Sequence, residues 1–205
     1  MFFPKRHKAQ LNIEQIMKKF VILFVLVVSA CGGSLGPPRN IKDACAISME
    51  RPSWIKAARK TERKWGVPVN VLLATMWRES RFVPDARTPR KYALGFIPTG
   101  RVSSAYGYSQ AIDGTWSWYR NATGNRFAQR DNFDDAADFI GWYMNQTRDK
   151  NGIALNDAYN QYLAYHEGHA GYARGSYNSK RFLLRAANEG RDMSARYKRQ
   201  LDICG

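Results

Sequence analysis

Acidic residues are few. The 205-residue chain has 17 Asp and Glu against 32 Lys and Arg, a formal net charge of +15. Histidine is scarcer still, with only His7, His166 and His169. His166-Glu167-Gly168-His169 spaces its histidines at i, i+3, whereas a zinc-protease His-Glu-x-x-His helix needs i, i+4. His7 lies in an N-terminal extension and supplies no third ligand, so no metal site is expected. Cysteine is limited to Cys31, Cys45 and Cys204. The longest apolar run, FVILFVLVV from Phe20 to Val28, is too short to cross a bilayer comfortably. Sustained strand alternation and internal repeats are both missing, which leaves one mainly α domain built on a composition 44% hydrophobic and 13% aromatic.

Met17-Lys18-Lys19, the apolar run and Ser29-Ala30-Cys31 together read as a basic n-region, a short h-region and a small-residue cleavage site. Val28-Ser29-Ala30-Cys31 resembles the bacterial lipobox. That resemblance implies a mature protein beginning at a lipidated Cys31, and because Gly32 is not Asp it implies the periplasmic face of the outer membrane of a Gram-negative bacterium. Residues 1–30 are expected to be an extension plus lipoprotein signal peptide, with Met17 an alternative start. Residues 31–44, which include GGSLGPPRN, are expected to be a lipid-anchored linker, and 45–205 the domain.

Removing residues 1–30 takes away five Lys/Arg and one acid and leaves +11. Such a field attracts nucleic acid, anionic lipid headgroups or the acidic stem peptides of cell wall. Export and the lack of a base-reading motif argue against nucleic acid. Cys45 and Cys204, near the two ends of an exported domain, are expected to pair, although two free thiols remain the alternative.

Helical spacing runs over Trp54–Trp65, ending at Gly66, and over Val69–Arg81 after Pro68. Further helices are expected over Ser109–Asn121, Asn132–Arg148, Ala154–His166 and Lys180–Leu201. Between them Pro84–Ser104 is long, polar and broken by Pro and Gly, so it is expected to be an irregular loop that forms a cleft rim.

Glu79 is out of character with its helix. Val69, Leu72, Leu73 and Met76 form one apolar stripe, and Glu79 continues it in the last turn. A carboxylate there is desolvated and opposed by the helix dipole, and both effects raise its pKa into the range of a general acid. As an isolated helix-end acid it would more simply pair with Arg78 or Arg81.

Two later segments change that balance: Gly107-Tyr108-Ser109-Gln110 and Ala164-Tyr165-His166-Glu167-Gly168. With Glu79-Ser80 before them, in this order, the chain resembles the soluble-lytic-transglycosylase (SLT) family of lysozyme-like enzymes over roughly residues 54–172. The family has a Glu-Ser pair at a helix end, a Gly-x-x-Gln segment and an Ala-Tyr-Asn-x-Gly segment. His166 stands where the family has Asn.

The resemblance implies a lysozyme-like fold with a cleft, a catalytic Glu79, cleavage of peptidoglycan glycan strands, no metal and no cofactor. Expected substrate-binding residues are Ser80, Tyr106, Gly107, Tyr108, Gln110, Tyr165, His166, Glu167 and Tyr172. Gly107 would permit close backbone approach, Gln110 would suit an N-acetyl group, and Tyr165 would hydrogen-bond near Glu79. The expected partners are glycan strands and, through the anchor, a membrane; a monomer is expected. A hydrolytic lysozyme using Glu167 or Asp113 as a second carboxylate, and a non-catalytic peptidoglycan-binding lipoprotein, are the rival readings.

Overall fold

The computed structural model describes residues 36–204. The expected signal peptide, Cys31 and the first residues of the linker lie outside the described residues. Gly36–Gly205 form one compact unit with its own hydrophobic core, as expected of a segment that folds by itself. The fold is mainly helical, as expected: among the described residues there are eight helices and one two-stranded sheet.

Local sequence explains the helix ends. Helix α1 (Ala44–Glu50) starts at Asp43, whose carboxylate accepts from the Cys45 and Ala46 amides. Helix α2 (Pro52–Trp65) opens on proline and closes at Gly66 with φ 79°. Helix α3 (Val69–Ser80) follows Pro68. Strands β1 (Arg90–Ala93) and β2 (Ile97–Arg101) pair antiparallel. Helix α4 (Asp113–Thr123) precedes α5 (Phe133–Asn151), which Asn132 caps by accepting from the Asp135 amide. Asp157 caps α6 (Ala158–Glu167) in the same way through the Asn160 amide. The short α7 (His169–Ala173) and the long α8 (Arg181–Cys204) complete the chain.

Helix α8 packs across α3 and α6, while α2 packs on α5. The second contact is close because α5 carries Gly141 there: a Cβ on it would stand 2.3 Å from Thr61 Cγ2. An aromatic wedge of Trp54, Phe82, Tyr108 and Phe133 fills the space beside them. Trp54 stacks on Phe133 at 4.3 Å between ring centroids, and Tyr108 meets both edge-on. Such pairs add roughly 0.5–1.5 kcal/mol each beyond the area they bury.

Two expectations change. The segment expected to be linker through residue 44 is packed from Gly36 onward: Pro38 is buried, Arg51 donates to the Gly36 carbonyl and Tyr197 to the Ile41 carbonyl. Gln200 accepts from the Ala44 amide at 2.9 Å. Beside these contacts Cys45 and Cys204 are joined in a disulfide across a sequence separation of 159. In the chain-entropy account closure of so long a loop stabilises the fold by about 5 kcal/mol.

The stretch expected to be irregular is a β-hairpin over residues 90–101. Leu94 and Gly95 turn it with φ 53° and 80°, the paired positive values that tight hairpins favour. Every residue of both strands is exposed, so neither face is buried and no inward–outward alternation is written into the sequence.

Candidate active site

Helix α3 stops abruptly after Glu79-Ser80. Arg81 and Phe82 both adopt positive φ, 55° and 61°, a costly conformation for residues with side chains. Two contacts hold them there. The Arg81 guanidinium lies 3.9 Å over the Trp77 ring, and fully buried Phe82 stacks on Trp54. The chain therefore leaves Glu79 in the lining of a cleft instead of covering it with another helical turn.

That cleft has a volume of about 480 Å³. Gln110 and Ala111 form one part of its lining, Phe139 and Tyr143 of α5 another, and Tyr165 to Gly168 a third. The stem of the hairpin contributes Thr88 and Ser103. All three motif segments thus meet around Glu79. A larger cavity of about 590 Å³, lined by residues such as Trp77, Arg81 and Glu189, contains none of them.

Burial raises the Glu79 pKa from 4.5 to about 7, against the opposing pull of a hydrogen bond from Tyr162 and the positive charge of Arg78. The expected hydrogen-bonding role of Tyr165 falls instead to Tyr162, one turn earlier on α6. Tyr165 donates its hydroxyl to the Ser109 carbonyl at 2.6 Å. Its ring meets Tyr143 edge-on, and its own pKa is pushed well up by burial and by the negative charge of Glu79.

Glu167 behaves in the opposite way. Burial acts to raise its pKa, but Lys180, Ser176 and His166 overcome that and lower it to about 2. Lys180 Nζ lies 2.8 Å from both carboxylate oxygens, Ser176 donates to Oε2, and His166 Nδ1 is 3.1 Å from Oε1. Asp113 is mostly exposed, pairs with Arg130 at 2.8 Å and does not line the cleft.

The other expected substrate-binding residues divide. Gln110, Tyr165, His166 and Glu167 line the cleft with Glu79. Gln110 has φ 50° and donates its amide nitrogen to the Ala86 and Gly107 carbonyls, both at 2.9 Å. Gly107 is buried, and the backbone it approaches is protein: a Cβ there would lie 2.0 Å from the Arg130 carbonyl oxygen. Its expected role beside the substrate is corrected to packing.

Tyr108 is core, within the Trp54 wedge. Ser80 is buried and returns its hydroxyl to the Met76 carbonyl. Tyr106 donates to Asp131 at 2.9 Å beneath the Arg87 guanidinium. Tyr172 donates to Asn160 and stacks on Tyr177. None of these four lines the cleft.

His169, the other half of the rejected metal motif, stacks on Tyr143 and contacts Thr147 through Nε2 at 3.0 Å. Tyr162 had one legible signal, its place three residues before Tyr165 on a helix. Lys180 and Ser176 had none, because they reach Glu167 from beyond the last motif.

The family model described as "Transglycosylase SLT domain" matches residues 19–204. The chain belongs to that family. Membership makes this SLT domain a protein of the lytic-transglycosylase type that acts on peptidoglycan. No curated protein matches the chain. His166, which stands where the family pattern has Asn, lines the same cleft as Glu79.

Proposed function

We propose that this SLT domain is a lytic transglycosylase that cleaves the β-1,4 bond between N-acetylmuramic acid and N-acetylglucosamine without water. The observation that carries this reading is the pairing, in one cleft, of an acid whose pKa is raised to about 7 with another held near 2. Glu79 carries a proton at near-neutral pH and can release it, as a group serving first as acid and then as base must.

Protonated Glu79 gives its proton to the glycosidic oxygen as the bond to the anomeric carbon breaks, and positive charge builds on that carbon. The substrate's own N-acetyl group shares the charge. Glu79, now a carboxylate, takes the proton of the muramic acid 6-hydroxyl, whose oxygen closes on the anomeric carbon. The product is a 1,6-anhydro end, and Glu79 regains its proton. Gln110 spends its amide nitrogen on two backbone carbonyls, which leaves its side-chain carbonyl to accept from an acetamido N–H.

A hydrolase would need a carboxylate to activate water. Glu167 is a poor base, being ionised to about pH 2 and engaged by three side chains. Anchoring of the mature protein through a lipidated Cys31, at the periplasmic face of the outer membrane, completes the proposal.

Mass spectrometry of digested sacculi tests it. Anhydro-muramic ends that disappear with Glu79→Gln are expected. Reducing ends, or a Glu79→Gln rate above about a tenth of wild type, would overturn it.

A further inference from the structure

The hairpin, whose flanking residues Thr88 and Ser103 line the cleft, ends in an unusual tip. Leu94 is 81% exposed and Phe96 72%, with Tyr92 and Ile97 also exposed beside them. Contiguous apolar side chains left in water mark a contact surface. Sugar recognition needs hydrogen-bonding side chains beside the rings, and the turn Leu94-Gly95-Phe96-Ile97 offers none.

Behind the tip the chemistry changes. Arg90 pairs in register with Arg101, and Lys91 with Gly100. Arg87 adds a fourth cation, and no acidic residue occurs from Ala86 to Ile112. Arg90 and Lys91 lie three to four residues behind Leu94, or roughly 10–13 Å at the rise of an extended strand. The polar headgroup layer of a bilayer leaflet is roughly 5–8 Å deep, and interfacial segments bury their apolar face roughly 5–10 Å into that boundary. The order of apolar tip followed by a cationic collar matches that depth profile.

We propose that the hairpin docks on an anionic lipid surface, with Leu94 and Phe96 entering the interface and Arg90, Lys91 and Arg101 at the level of the phosphates. The hairpin stem carries Thr88 and Ser103 into the cleft lining, so docking seats the cleft at the membrane surface. This holds whether or not Glu79 cuts glycan.

Residues 36–205 test it without the lipid anchor, since they form the compact unit. Co-sedimentation with vesicles of phosphatidylcholine containing one third phosphatidylglycerol is expected to be strong. It should fall to background with phosphatidylcholine alone and weaken with added salt. Each of Arg90→Gln and Lys91→Gln should weaken binding about fivefold.

Leu94→Asp with Phe96→Asp should abolish binding while thermal unfolding stays unchanged. A Leu94→Cys variant bearing an environment-sensitive fluorophore should shift to the blue on anionic vesicles. Binding that the tip variant retains, or no preference for the anionic vesicles, overturns the proposal. So does a tip whose substitution instead disperses a dimer or removes binding to sacculi.

Discussion

The hydroxyl of Tyr165 donates to the carbonyl of Ser109 at 2.6 Å. One bond thus ties the last motif segment, on α6, to the turn that carries Gln110 on the far side of the cleft lining. Tyr165→Phe keeps the ring and removes the donor. The Ser109 carbonyl, on a fully buried residue, then loses its partner, a loss of roughly 1–3 kcal/mol of stability. Loosening of the Gln110 turn should lower kcat, and chemical unfolding and turnover measured on one preparation check both effects.

Glu79 costs the fold stability. Its folded pKa of about 7 exceeds the ordinary value of 4.5, so between those values the unfolded chain has released a proton that the folded chain holds. Stability therefore falls as pH rises from 4.5 to about 7 and then levels off. Glu79→Gln removes this penalty. It should stabilise the protein by up to about 3 kcal/mol above pH 7 and by almost nothing below pH 4.5, while ending catalysis. Urea unfolding of both proteins at the two pH extremes measures the difference; a gain of equal size at both would mean the carboxyl is not desolvated.

Gly107 matters as a packing residue. Its φ is 78°, and an added Cβ would meet the Arg130 carbonyl oxygen at 2.0 Å. Because that obstacle is backbone, it cannot rotate away. Gly107→Ala should cost roughly 2–5 kcal/mol from the left-handed conformation and the overlap together, read as a fall in unfolding midpoint with or without substrate.

What the residues disclosed follows from where burial writes a pattern. The apolar stripe through Leu72 and Met76 located α3 and marked Glu79 as misplaced, because a helix with one buried face must repeat at 3.6 residues. The hairpin left no such trace, having no buried face. Tyr108 and Tyr172 are ambiguous in sequence for a related reason: an aromatic beside a motif reads the same whether it lines a cleft or packs on its neighbours. Only the stacking on Trp54 and on Tyr177 separates the cases. Ion pairs across distant segments, such as Glu167 with Lys180, carry no periodicity at all.

Glu167 distinguishes transglycosylation from hydrolysis. In a hydrolase it would hold the attacking water, and Glu167→Gln would cost about as much as losing the general acid. Its surroundings argue for a different part. Lys180, Ser176 and His166 fix the carboxylate at the junction of α6 and α7, and its pKa of about 2 leaves it without affinity for a proton at working pH. Glu167→Gln should therefore lower activity by no more than about tenfold, the scale of a contact that orients a neighbour.

Its larger effect should be on acid stability. The folded pKa lies below the unfolded 4.5, so Glu167 stabilises the fold above that value and ceases to do so as pH falls toward 2. Wild type should lose stability through that window and Glu167→Gln should lose less, having less to lose. An inactive Glu167→Gln accompanied by reducing ends in the wild-type digest would assign the cleft to hydrolysis. A variant that still releases anhydro ends, with a flattened acid profile, assigns Glu167 to holding His166 and Lys180 beside the cleft.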